Sequence, residues 1–259
     1  MMTKPIGIFD SGVGGTSILE EIHDLLPNEN IIYLADSKNA PYGDRSSEEI
    51  KELSIKNTEF LLARECKIIV VACNTATTNA IDNLRSQYEL PFVGIEPAIK
   101  PAALHTKTNT IGILATKGTL SSRLFHKTSN LFASDIEVIE QIGEGIVRLI
   151  EEGLLESQEM VDLLQTYLDP MITANIDYLV LGCTHYSYLI PLLTKLLPQS
   201  VTIIDSGEAV ARQTKHLLRK NGLLSNSTKK GTVSLLTNGN PEIIKTITRH
   251  KYQVTQERF

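Results

Sequence analysis

Along the chain, short continuous apolar runs alternate with longer stretches in which apolar residues recur every three or four positions. The runs cover residues 6–9, 31–34, 68–72, 92–95, 111–114, 178–181, 201–204 and 233–236, most of them rich in Ile and Val. Runs without polar alternation predict strands buried on both faces. Between them, 47–64, 156–174 and 207–218 carry the spacing of amphipathic helices. Ser46 and Glu49 stand in the S-x-x-E spacing of a capping box at the start of the first of these. Strand and helix alternate throughout, which predicts an α/β fold with mainly parallel sheets covered by helices.

The pattern also repeats. The segment Ile6-Gly7-Ile8-Phe9-Asp10-Ser11-Gly12 is echoed 105 residues later, from Ile111 to Gly118, as an apolar run ending in small or hydroxyl residues and a glycine. Residues 68–75, ending in Cys73-Asn74-Thr75, are echoed 110 residues later by 178–185, ending in Cys183-Thr184-His185. Two echoes at nearly one offset predict two similar α/β halves, related by a pseudo-two-fold with a groove between them.

Composition narrows the partners. With 259 residues the chain can bury a core without staples, and its three cysteines, Cys66, Cys73 and Cys183, are an odd and widely spread set that predicts reduced thiols. A net charge of -5 with no block of like charge argues against a nucleic-acid partner. The longest strongly apolar run, 68–73, falls far short of the roughly 20 residues of a membrane span. The N-terminal stretch is too short for a signal h-region, so a cytoplasmic protein is expected.

The polar residues of interest sit where predicted strands end, which is where open α/β sheets bind ligands. Asp10-Ser11-Gly12-Val13-Gly14-Gly15-Thr16 reads as a glycine-rich turn that could present N–H groups to a carboxylate or phosphate. It lacks the spacing of a dinucleotide fingerprint or P-loop. Cys73 and Cys183 each end a buried strand, where a helix N-terminus would favour the thiolate. As equivalents in a duplicated unit they should face one another across the groove, with Asp10 near Cys73 and His185 near Cys183 as polar assistants. Cys66 has no such counterpart and reads as structural. Two matched acid/base groups on opposite sides of one carbon are what inversion of configuration needs. No C-x-x-C or H-x-x-x-H supports a metal or thiol-redox site, so neither is expected.

These residues resemble the glutamate racemases, cofactor-independent enzymes of the aspartate/glutamate racemase superfamily. The motifs that carry the likeness are 10–15, Ala35-Asp36 with Pro41-Tyr42-Gly43, 72–76, 94–102, Ala115-Thr116 with Gly118-Thr119, and 181–186, in that order along most of the chain. The resemblance implies that Cys73 and Cys183 exchange the α-proton, and that Asp10, Ser11, Tyr42, Gly43, Asn74, Thr75, Thr184 and His185 hold the substrate, with Thr116 and Thr119 nearby. It implies interconversion of L- and D-glutamate for peptidoglycan synthesis, and a first domain of 1–96 plus 207–259 around a second of 97–206. The segment 143–152 departs from the usual pattern and leaves open which of Glu144, Glu151 and Glu152 approaches the substrate; Ser187 stands where Pro is usual and Phe125 where Tyr is common. A homodimer remains an open expectation. The rival readings are a racemase for aspartate or another amino acid, and a flavodoxin-like module binding phosphate or a nucleotide at the glycine-rich turn.

Overall fold

The computed structural model describes residues 3–259. Strand β1 (Ile6–Asp10) turns into helix α1 (Thr16–Leu25), and β2 (Ile31–Ala35) runs through two short 3-10 turns, Ser37–Asn39 and Tyr42–Asp44, into α2 (Ser47–Ala63). Next come β3 (Ile68–Val71), α3 (Asn74–Gln87), β4 (Phe92–Gly94) and α4 (Ile99–His105). The middle of the chain forms β5 (Thr110–Ala115), α5 (Lys117–Leu120), α6 (Arg123–Phe132), β6 (Glu137–Ile142), α7 (Ile146–Glu151), α8 (Gln158–Thr173) and β7 (Tyr178–Gly182). A 3-10 segment, Thr184–Leu189, then leads to α9 (Ile190–Leu196) and β8 (Thr202–Ile204); α10 (Gly207–Lys220), β9 (Val233–Thr237), α11 (Pro241–Ile247) and β10 (Val254–Gln256) end the described chain.

Two parallel sheets result. One has the order β10-β9-β2-β1-β3-β4 and the other β6-β5-β7-β8. The sequence echo is visible here as topology: β1 and β5 occupy equivalent places, as do β3 and β7, and β2-β1-β3-β4 repeats the order of β6-β5-β7-β8. The continuous apolar runs are strands; β1, β3 and β5 are buried at every position, whereas β8 has no buried residue and β9 buries only Leu235 and Thr237. The capping box forms as spaced: Glu49 N–H donates to Ser46 Oγ at 3.3 Å and Ser46 N–H to Glu49 Oε2 at 3.0 Å.

Strands β6 and β10 have no counterpart in the apolar pattern. Both lie at a sheet edge. β6 reads Glu-Val-Ile-Glu-Gln-Ile and no position in it is buried, because an edge strand is not covered as a central one is.

The two sheets share a core. A single apolar cluster joins Ile6, Ile8, Tyr33 and Val70 of the first sheet to Leu114, Leu179 and Leu181 of the second, through Ile146, Leu149 and Tyr186. The groove between the halves therefore has an apolar floor, with the strand-end residues at its polar lip. Among the described residues no helix is long and apolar enough to cross a membrane.

Candidate active site

Each sheet has one place where consecutive crossovers leave in opposite directions, and such switch points open a crevice at the carboxyl ends of the strands. In the first sheet it lies between β1 and β3, in the second between β5 and β7. Ser11, Thr116 and Cys183 directly follow β1, β5 and β7, and Cys73 comes one residue further on after β3. All four line one narrow, nearly filled cleft, together with Pro41, Tyr42, Gly43, Asn74, Thr75, Val147, Thr184 and His185. The duplicated switch points thus bring the two thiols to one cleft.

The thiols differ in their surroundings. Cys73 is the N-cap residue of α3, accepts the Ala76 N–H at 3.4 Å and donates to Ser11 Oγ at 3.6 Å. The helix N-terminus does not lower its pKa as the sequence suggested: burial pushes the Cys73 thiol well up, the Asp10 carboxylate adds to this, and the Ala76 and Ser11 bonds oppose it only in part. Cys183 lies 3.9 Å from His185 Nδ1. Cys66 is buried away from the cleft, and burial pushes its thiol up to about 12.

A carboxylate network lies directly behind the lining. Asp10, fully buried, accepts the Gly12 N–H at 3.0 Å and the Thr184 hydroxyl at 3.2 Å. Burial raises its pKa, against the pull of His185 and of the Gly12 and Gly15 N–H groups. Glu151, at the end of α7, accepts the Val13 N–H at 2.7 Å and meets His185 Nε2 at 2.7 Å with the same oxygen. Burial opposes a charge on His185, but its bonds to Cys183 and Glu151 outweigh that and hold the ring well above its ordinary pKa. Of the three acidic residues left open by the sequence, Glu151 is the one at the site. Glu152 pairs with Arg148 at the surface, and Glu144 lines the adjoining pocket that shares Pro41, Gly43, Thr116 and Val147 with the cleft.

This network also changes the meaning of the glycine-rich turn. Its Gly12 and Val13 N–H groups are taken by the protein's own carboxylates, so the turn offers no anion site there and would repel a phosphate; the flavodoxin-like reading falls on this point. The glycines are there for close approach. A Cβ on Gly12 would lie 1.9 Å from Glu151 Oε1, and one on Gly14 would lie 2.3 Å from His185 Nδ1.

The remaining wall is made of amides and hydroxyls. Asn74 Oδ1 is buried without a hydrogen-bond partner among the described residues, so it is an acceptor in want of a donor. Thr75, Thr116 and Thr119 form a triangle of hydroxyls at 2.8, 3.0 and 3.3 Å. Tyr42 lines the cleft, but its hydroxyl donates to Asp36 at 2.5 Å and accepts from Asn57 at 3.0 Å. Burial and the Asp36 charge push the phenol well up, so it stays a neutral donor. Its neighbour Gly43 packs against Thr116, where a Cβ would come within 2.8 Å of the Thr116 Cβ.

The structure therefore gathers Cys73, Cys183, Ser11, Tyr42, Gly43, Asn74, Thr75, Thr116, Thr184 and His185 on the cavity wall, and sets Asp10 and Thr119 one hydrogen bond behind it. Ser187 donates to Asp205 Oδ2 at 2.9 Å, outside the cleft, and Phe125 is buried in the core of the second half. Val147 and Pro41 complete the wall without a polar signal that could have marked them. Among the described residues no three His, Cys, Asp or Glu side chains are grouped so as to hold a metal ion.

The chain as a whole is similar to known proteins. The family described as Asp/Glu/Hydantoin racemase matches residues 6–214. A glutamate racemase of Ectopseudomonas mendocina is 50% identical over 229 residues, which is 88% of this chain and 87% of that protein. A crystal structure of a glutamate racemase isoform from Bacillus anthracis superposes with a TM-score of 0.87 at 31% identity, over 99% of this chain and 97% of that one. The glutamate racemase of Francisella tularensis, solved in complex with D-glutamate, superposes with a TM-score of 0.85 at 30% identity, over 99% of this chain and 97% of that one.

Proposed function

This chain belongs to the Asp/Glu/hydantoin racemase family and is an isomerase, and we propose that it interconverts L- and D-glutamate by passing the α-proton between Cys73 and Cys183. One observation carries the mechanism: two thiols, each following the equivalent strand of a duplicated sheet, line one cleft with His185 beside the second of them.

The resting protonation pattern follows from the surroundings. Cys73 rests as a thiol. His185 rests as an imidazolium held by Glu151, 3.9 Å from the Cys183 sulfur. Cys183 then removes the α-proton from one face of the amino acid and Cys73 delivers its own to the other. In the reverse direction the roles exchange.

The difficulty is the carbanion. Its parent C–H is far less acidic than a thiol, and each unit of mismatch costs about 1.36 kcal/mol. The hydroxyls of Thr75 and Thr116 are donors that can turn toward the carboxylate as charge spreads onto it, in a cleft with little room for water. Asn74 Oδ1 and Ser11 stand ready for the ammonium, with the Asp10 charge behind them. No lysine lines the cavity to form a Schiff base, and the scheme calls for no cofactor. The expected product is D-glutamate for peptidoglycan synthesis, made in the cytoplasm, with a homodimer as the assembly that light scattering would test.

Circular dichroism on L-glutamate with no added cofactor tests the proposal: optical activity should decay to zero, with solvent deuterium entering the α-position in D2O. Cys73→Ala and Cys183→Ala should each abolish the decay. Racemisation of L-aspartate in preference would overturn the substrate, and full turnover by Cys73→Ala would overturn the mechanism.

A further inference from the structure

The 3-10 segment Thr184–Leu189, which carries Thr184 and His185 into the cleft, is tied to the first half at both ends. At its start Thr184 donates to Asp10. Near its end Tyr188 is hydrogen-bonded to the Thr16 hydroxyl. The direction of that bond is determined by its neighbour. Thr16 spends its one proton on the Val13 carbonyl at 2.7 Å, so Tyr188 must be the donor to Thr16 Oγ1. The other side of the same residue, the Val13 N–H, donates to Glu151 Oε1 at 2.7 Å, and that oxygen meets His185. A continuous line of hydrogen bonds therefore runs Tyr188, Thr16, Val13, Glu151, His185, and reaches the Cys183 sulfur. It begins and ends on one short segment and crosses to the opposite half in between. Nothing in it touches Cys73.

Resting on the two-thiol reading above, we propose that the Tyr188–Thr16 bond is a latch between the two halves that sets Glu151 and His185 against Cys183. Tyr188 and Thr16 are then positioning residues for the proton transfer at that thiol, and not at Cys73. Tyr188 is partly buried and Thr16 fully so, and burial pushes the Tyr188 phenol up, so it remains a donor at all working pH values.

Tyr188→Phe deletes the donor and keeps the ring; Thr16→Val deletes the acceptor and keeps the volume. Each should lower kcat for glutamate about 5- to 30-fold with KM little changed, the scale of one hydrogen bond, and the double variant should lose no more than either alone. Thr16→Ser, which keeps the hydroxyl, should restore kcat.

The decisive readout is the primary isotope effect with α-deuterated L- and D-glutamate. A weakened Cys183 step becomes more rate-limiting, so the isotope effect should rise for the enantiomer that gives its proton to Cys183 and fall for the other. A Cys73→Ala enzyme acting on an elimination-prone analogue assigns that enantiomer independently. Wild-type kcat in Tyr188→Phe, or a loss with both isotope effects unchanged, would overturn the latch. The two-thiol reading fails separately, if the wild-type enzyme keeps its activity without Cys73 or Cys183.

Discussion

At the scale of single residues, the site turns on which carboxylate holds His185. Glu151 is bonded both to the ring and to the Val13 N–H. Glu151→Gln keeps an oxygen for Val13 but removes the charge that keeps the imidazole protonated against its own burial. We expect kcat/KM to fall about a hundredfold, the scale of general acid–base assistance. The sign of the pH effect follows from the raised His185 pKa. Activity that needs the imidazolium is present through neutral pH and is lost as pH rises through that value, so the alkaline limb of the pH profile should move toward neutrality in Glu151→Gln. An unmoved limb would show that His185 does not carry the charge. Cys66→Ala is the matching control: turnover should persist, with about 1 kcal/mol of stability lost to the small cavity. The two thiols were legible in the sequence because they recur at equivalent positions. Glu151 is not distinguishable from Glu144 and Glu152 in the sequence, since what separates them is the packing of the last residue of α7 against the β1–α1 turn and His185.

At the scale of elements, the turn between β1 and α1 decides how closely the two halves approach. Gly12→Ala places a methyl 1.9 Å from Glu151 Oε1, and neither the carboxylate nor the turn can yield without breaking the Val13 or His185 bond. Racemisation should drop by at least about a hundredfold while far-UV circular dichroism stays unchanged. Gly153→Ala offers the contrast. Nothing lies within 4 Å of the new methyl, but the backbone there has φ +77°, so stability should fall by about 1 kcal/mol with kcat intact. The central strands were readable because they are apolar on both faces, and the cap of α2 because its two residues bond each other. Strands β6 and β10 are not legible as apolar runs because their residues, Glu-Val-Ile-Glu-Gln-Ile and Val-Thr-Gln, interleave polar side chains. The glycine-rich turn was legible as close approach, but what approaches it is a His–Glu pair more than 130 residues distant, which local spacing cannot show.

At the scale of the molecule, the halves are joined by one apolar cluster and, above it, by charged and hydrogen-bonded contacts around His185. A shared core predicts one cooperative calorimetric transition, not two. Those polar contacts should make that transition depend on pH in a definite sense. His185 titrates near 6.5 in the unfolded chain and well above it when folded, so the folded state binds more protons between the two values. Its contribution to stability is complete below about pH 6.5 and is lost as pH rises through the folded pKa, at up to about 1.4 kcal/mol per pH unit. Buried thiols and phenols such as Cys73, Tyr33 and Tyr186 act in the same direction, but only above about pH 8.5, where they begin to ionise in the unfolded chain. Between pH 6.5 and 8.5 His185 contributes to that slope. Calorimetry across that window should show the Tm of the wild-type protein falling with pH and that of Glu151→Gln falling less. Equal slopes in the two proteins would mean that the Glu151–His185 pair does not hold the halves together through its charge.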